Sequence, residues 1–302
     1  MNRFRFVLLV LFFAAPVTAN AAVVAGDFPD GTVWYMHADL KEMRSSDSGR
    51  DLFAWLDEEV LTEFNDQTGV DLKEEVDRIT AFSSGGRGAV IVIEGAISQD
   101  TQDKLLAIAS LDGSLDMLTY NGKTFYHTGK ERSGDHDFDL EKSAYFSFAV
   151  KNKIIVTSDE DKLKTLIDSN GKIAGTRGAD NALFVLTAEK EFVQAGMQTG
   201  KFGGDGIDWD SNILRNIEQA AVLISGKAGL IAIEAQFISS DPGMARSIAS
   251  IVSGLISLQA FATDLEPDLA AILQNTKVDV EGNVLSIRTV IDPKTIVKII
   301  SD

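Results

Sequence analysis

The sequence predicts an α+β protein built from two similar halves, each an antiparallel sheet covered by helices, preceded by a cleaved signal peptide. Three observations support this prediction. Along the whole chain, segments whose apolar residues repeat with the helical period are mixed with segments that repeat with the strand period. Glycine-rich and Asn-Gly turns separate pairs of apolar runs. A segment of the second half also matches one in the first half.

The N-terminal residues have the order of a secretory signal peptide. Arg3 and Arg5 precede an apolar run over 6–15, and small residues follow Pro16. Cleavage after Ala19 or Ala21 satisfies the small-x-small rule, and we favour Ala21, which makes residues 1–21 the leader. A run of this length is too short to cross a bilayer, which needs about 20 apolar residues. We therefore expect a periplasmic or secreted protein without a membrane span.

Composition excludes several classes of protein and partner. The chain has no cysteine, which excludes disulfides and a lipid anchor on a cysteine. The leader carries two arginines and no acid, so its removal takes the net charge from −17 to −19. So acidic a chain repels nucleic acid and anionic headgroups, and we expect neither as a partner. High charge also favours solubility.

The first half, residues 22–175, contains most of the predicted elements. The strongest hairpin signal is Asn121-Gly122 between alternating strands, because Asn-Gly accepts the two positive φ angles of a type I′ turn. Periodicity predicts further strands at 32–38, 79–83, 89–93, 145–150 and 153–157, and helices at 51–65, 99–111 and 159–169. In the helix predicted at 51–65, Leu52, Leu56 and Val60 are expected to form one apolar stripe.

The second half, residues 176–302, repeats this pattern. Residues 221–234 match 81–94, since both run from an apolar strand through a glycine-containing basic turn to a strand that ends in glutamate. A strand at 183–186 precedes the match, and a helix from about 243, a hairpin at 281–283 and a helix after Pro293 follow it. We expect a duplication, with an extra hairpin in the first half and both halves packed into one body. Any binding surface is then expected between the halves.

Two acidic loops are candidate cation sites. Asp205, Asp208 and Asp210 fall in a stretch of six residues inside a glycine-rich segment. Calcium prefers such carboxylate oxygens. The segment lacks the EF-hand register and its twelfth-position glutamate, so a plain Gly/Asp turn is the alternative. The loop at 131–139 offers a histidine among three aspartates, or is simply solvated.

Two glutamates are the candidate catalytic groups. Glu94 and Glu234 occupy matching positions in the two halves, and a pair of carboxylates can provide an acid and a base when close enough. Strand-end residues that merely reach solvent are the alternative. No nucleophile, metalloprotease or phosphate-loop motif is present. The sequence therefore favours a non-enzymatic envelope protein that binds or scaffolds a protein or small ligand, over a carboxylate hydrolase or a calcium-dependent module.

Overall fold

Strands with alternating apolar residues, joined by tight turns, form antiparallel sheets, as the sequence predicts. The computed structural model describes residues 31–84, 88–111, 115–129, 143–173, 182–193, 216–260 and 267–301. The chain divides into two compact units. The first unit comprises residues 26–44 and 53–177, and the second contains residues 45–52 and 178–302.

The described residues of the first unit form seven strands, in the order β1-β2-β3-β7-β6-β5-β4. All neighbouring pairs in this order are antiparallel. The strands are β1 Thr32–Asp39, β2 Val76–Ser84, β3 Ala89–Gly95, β4 Leu115–Tyr120, β5 Lys123–Gly129, β6 Ser143–Ser147 and β7 Lys153–Thr157. The helices are α1 Leu40–Ser45, α2 Arg50–Leu56, α3 Thr62–Thr68, α4 Gln99–Leu111 and α5 Glu160–Asp168, of which α2 begins within residues 45–52.

In the part of the second unit that the structure describes there are five strands, in the order β8-β9-β10-β12-β11, again antiparallel throughout. The strands are β8 Ala182–Glu189, β9 Ile217–Lys227, β10 Leu230–Ser239, β11 Lys277–Glu281 and β12 Val284–Ile291. The helices are α6 Pro242–Ala260, α7 Pro267–Gln274 and α8 Pro293–Ser301. Short α7 was not anticipated from the sequence.

Three helices cover one face of the second sheet. Ile248 and Val252 of α6 pack against Ala235 and Leu285 on this face. Farther along the same face, Ile272 of α7 and Ile296 of α8 form a cluster with sheet residues, namely Ile231, Ile233 and Ile291. Because side chains alternate along a strand, Glu234 and Gln236 of β10 point to the opposite face. This confirms an α+β fold with antiparallel sheets.

Local signals in the sequence set where the helices begin. The side chain of Asp159 caps α5 by accepting from the backbone N–H groups of Asp161 and Lys162, at 3.0 and 3.1 Å. Asp241 caps α6 in the same way, from the N–H groups of Gly243 and Met244 at 2.7 and 2.9 Å. Within the part of the chain that the structure describes, no helix is long and apolar enough to cross a membrane.

The helical segment predicted at 51–65 is interrupted. A π-helical turn at Asp57–Leu61 separates α2 from α3. A π-turn adds residues to one turn, so it rotates the following side chains away from the stripe that a regular helix would form. Val60 is accordingly 48% exposed, and its predicted place on the apolar stripe with Leu52 and Leu56 is wrong.

Candidate functional site

A row of alternating charges crosses four strands of the first unit. Asp39 on β1 lies opposite Arg78 on β2, Arg78 opposite Glu94 on β3, and Glu94 opposite Lys153 on β7. The guanidinium of Arg78 donates from Nε to Asp39 Oδ2 at 2.8 Å, and Lys153 Nζ forms an ion pair with Glu94 Oε1. The hydrogen bond from Arg78 to Asp39 raises the pKa of that guanidinium. We call these four residues the charged row.

Buried polar side chains lie beside the charged row on the same face. His37 is opposite Thr80, and His37 Nδ1 lies 2.8 Å from Thr80 Oγ1. Burial lowers the pKa of His37, while the charge of Asp39 acts in the opposite direction. Burial raises the pKa of the Tyr35 hydroxyl to about 12, although its hydrogen bond to Thr80 lowers it. Thr80 therefore joins two groups that burial keeps in their neutral forms.

Glu234 is the centre of a second polar network, in the second unit. It is only 9% exposed and lies opposite Arg288 on β12. Arg288 Nε donates to Glu234 Oε1 at 3.0 Å, and Gln236 Nε2 donates to the same oxygen at 2.8 Å. Arg288 also reaches Asp279 Oδ2 on β11, at 3.4 Å. A carboxylate this buried is stable only when it is paired and hydrogen-bonded, as Glu234 is.

Both candidate catalytic glutamates thus have the same kind of partner. Glu94 on β3 faces Lys153 on β7, and Glu234 on β10 faces Arg288 on β12. Glu94 is next to the last residue of its strand, but Glu234 lies in the middle of β10. The description of Glu234 as a strand-end residue is therefore wrong. In each pair a carboxylate oxygen forms an ion pair with a cationic side chain of the neighbouring strand. Such a pair links the two strands.

The predicted cation sites fall elsewhere. Asp205, Asp208 and Asp210 lie outside the described residues, and so does the loop at 131–139. Among the residues that are described, no three or more histidines, aspartates or glutamates cluster as metal ligands would. Calcium binding at 205–210 stays a prediction.

Sequence reasoning missed the partners of the two glutamates, and it also missed the Tyr35–Thr80–His37 group. Part of the signal was available, since alternation in β1 places Tyr35, His37 and Asp39 on one face. The other part was not, because β3 and β7 are separated by a helix and three strands along the chain. Their register is visible only in the structure.

Comparisons with known proteins show a shared fold and no family. No family model matches the chain, and a search of the curated proteins finds no significant relative. The crystal structure of TP0453 in form III is similar, with a TM-score of 0.52 at 10% identity, over 94% of this chain and 99% of that one. Form IV of TP0453 gives a TM-score of 0.51 at 10% identity, over 92% and 96%. At this identity the likeness concerns the fold alone.

Proposed function

We propose that the mature protein is a non-enzymatic binding or scaffold protein of the cell envelope, exported by the leader at residues 1–21. The observation that carries this proposal is the use of both candidate carboxylates in cross-strand ion pairs, Glu94 with Lys153 and Glu234 with Arg288. Charges committed in this way hold neighbouring strands in register. The partner we expect is a protein or a small ligand, and not nucleic acid, because the chain is strongly acidic.

Export is the part of the proposal that rests on the sequence. Sequencing the N-terminus of the mature protein is expected to give Ala22, or Asn20 if cleavage follows Ala19. A stable cytoplasmic product that begins at Met1 would contradict it.

We further propose that the two units descend from a duplication. Removing β4 and β5 from the first unit leaves the strand order β1-β2-β3-β7-β6, which has the same connectivity as β8-β9-β10-β12-β11. The Glu–cation pairs then fall on equivalent strands, β3 with β7 and β10 with β12. This supports the predicted extra hairpin in the first half.

The matched segments 81–94 and 221–234 are, however, out of register over part of their length. Glu94 lies opposite Arg78, whereas Glu234 lies opposite Leu223, so aligning the glutamates shifts the preceding strands by five residues. The connection between the two strands accounts for part of this shift. Four residues separate β2 from β3, but only Ala228 and Gly229 separate β9 from β10. If the units are related, their equivalence needs a gap at this turn.

A charge-swap variant tests the non-enzymatic proposal. Glu94→Lys combined with Lys153→Glu keeps the ion pair but moves the carboxylate to β7. We expect each single change to lower the melting temperature and the double variant to recover part of the loss, because its lysine at position 94 lies opposite Arg78. Tagged parent and double variant should then capture the same set of proteins from envelope extracts.

The hydrolase alternative predicts a different outcome. A catalytic carboxylate must keep its position, so the folded double variant would lose hydrolysis of a substrate that the parent cleaves. A screen of the parent against ester, peptide and glycoside substrates provides that comparison. Turnover that Glu94→Gln or Glu234→Gln abolishes without unfolding the protein would overturn the proposal.

A further inference from the structure

Strand β4 forms an outer edge of the sheet in the first unit. Among the described residues it pairs only with β5. Tyr120 and Lys123 flank the two-residue turn, so they exchange both hydrogen bonds of the first pair. Alternation along β4 then directs the backbone N–H and C=O groups of Leu115, Met117 and Thr119 away from β5. These groups form a template for another strand.

The edge strand of the second unit differs from β4. Strand β11 alternates Val278 and Val280 with three exposed charged residues, namely Lys277, Asp279 and Glu281. Charges on an edge discourage pairing with another chain. Strand β4 has one charge, Asp116, and its Met117 is 73% exposed. Within the described residues, β4 therefore has fewer protecting charges than β11.

Two rows of side chains end at this edge and define what an added strand would meet. Met117 lies opposite Tyr126, which lies opposite Phe146, and the two rings stack with centroids 5.2 Å apart. An added strand would place its own side chain next to Met117 at the open end of this row. An apolar residue there would cover surface that is now exposed.

The second row is polar at the edge. Asp116 lies opposite His127, whose ring stacks on Tyr145 with centroids 4.5 Å apart. Asp116 Oδ2 is 3.7 Å from His127 Nδ1, and the Asp116 side chain is 61% exposed. Among the ion pairs of the described residues, no lysine or arginine pairs with Asp116. A cation on an added strand would be complementary to this carboxylate.

We infer that the β4 edge binds an extended segment of a partner protein by strand addition, with an apolar residue beside Met117 and a lysine or arginine beside Asp116. This inference rests on the proposed binding function and specifies its partner. A second copy of the chain fits less well, because each copy carries a net charge of −17 before leader removal.

Labelled synthetic peptides test the inference on the full mature protein. The probe is an eight-residue peptide that alternates valine with lysine and threonine, compared with its glutamate counterpart and with a version N-methylated at alternate residues. In fluorescence anisotropy the lysine peptide should bind at least about threefold more tightly than the glutamate peptide, as expected for one exposed ion pair. N-methylation should abolish binding because it removes the backbone donors.

Variants of the protein locate the binding site. Thr119→Pro removes an outward N–H group but leaves the β4–β5 bonds, and should weaken binding at least about tenfold. Asp116→Lys should reverse the charge preference, whereas Glu281→Lys on β11 should not. If Thr119→Pro does not fold, Met117→Lys provides the second edge-blocking change. Equal binding of the N-methylated peptide, or peptide binding unaffected by these edge variants, would overturn the inference.

Two further results separate this inference from the proposed function. Capture of the same envelope proteins by the parent and by Thr119→Pro would overturn the inference that partners bind at the β4 edge. It would leave the proposed binding function intact. Capture of no specific protein or ligand by the parent would count against the proposed function. The peptide assay would still test whether the β4 edge binds an extended segment. A concentration-dependent dimer that Thr119→Pro abolishes would show that a second copy occupies the edge, and would overturn the partner inference.

Discussion

The buried hydroxyl of Tyr35 shows how a single residue connects fold and protonation. Tyr35 is 1% exposed, and burial raises its pKa to about 12. The unfolded chain releases this proton near pH 10, whereas the folded chain holds it. The folded state therefore binds more protons between these values, and its stability falls as the pH rises through that range. The loss amounts to about 2–3 kcal/mol once both values are passed.

Tyr35→Phe is expected to remove this alkaline dependence. At pH 7 the variant should be less stable by about 1 kcal/mol, because the hydrogen bond to Thr80 is lost. From pH 10 upwards the difference from the parent should shrink and then change sign, which urea unfolding at several pH values would measure. Tyr126→Phe is the control, since its ring keeps the stacking contact with Phe146. A constant difference at all pH values would contradict the assignment.

The sequence did not predict which cationic side chains pair with Glu94 and Glu234. Alternation placed Glu94 on a strand, but its cation, Lys153, lies 59 positions later on another strand and could not be chosen without the register. The same holds for Glu234 and Arg288. A one-residue slip of either strand would turn these side chains to opposite faces, so the pairs depend on information that a single sequence does not contain.

At the scale of elements, turns were predicted best where their chemistry is local. Asn121 and Gly122 have φ angles of 49° and 75°, as the Asn-Gly signal predicts for a type I′ turn. The turn between β9 and β10 has the same pair of positive angles but places Ala228 at φ 49°. Alanine gives no such signal, because its Cβ disfavours this conformation. The sequence therefore located the hairpin but not its two-residue turn.

Ala228→Asn is expected to stabilise the protein. Asparagine tolerates the left-handed region better than alanine, so the variant should gain about 0.5–1 kcal/mol and melt about 2 °C higher. Asn121→Ala in the β4–β5 hairpin is the converse change and should cost at least this amount, since Asn121 Nδ2 also donates to Asp168 Oδ1 at 3.2 Å. Thermal and urea unfolding of both variants would measure the effects. Two changes of the same sign would show that turn strain does not govern either hairpin.

At the scale of the whole molecule, the charge is the feature that the sequence predicts without any structure. The chain has 45 acidic and 28 basic side chains, which gives a net charge of −17. Self-repulsion of this kind destabilises a compact state, and salt screens it. The melting temperature is therefore expected to rise between low salt and about 0.5 M sodium chloride, where the screening length falls to a few ångströms.

Comparing salts at equal ionic strength separates screening from a cation site. If Asp205, Asp208 and Asp210 bind calcium, millimolar calcium chloride should raise the melting temperature above that in sodium chloride of the same ionic strength, because a ligand of the folded state stabilises it by mass action. Asp208→Ala should remove this excess and keep the response to sodium chloride. Magnesium is a useful control, since it loses its water reluctantly and suits an all-protein site poorly. Equal curves in the three salts would leave charge screening as the whole effect and end the calcium hypothesis.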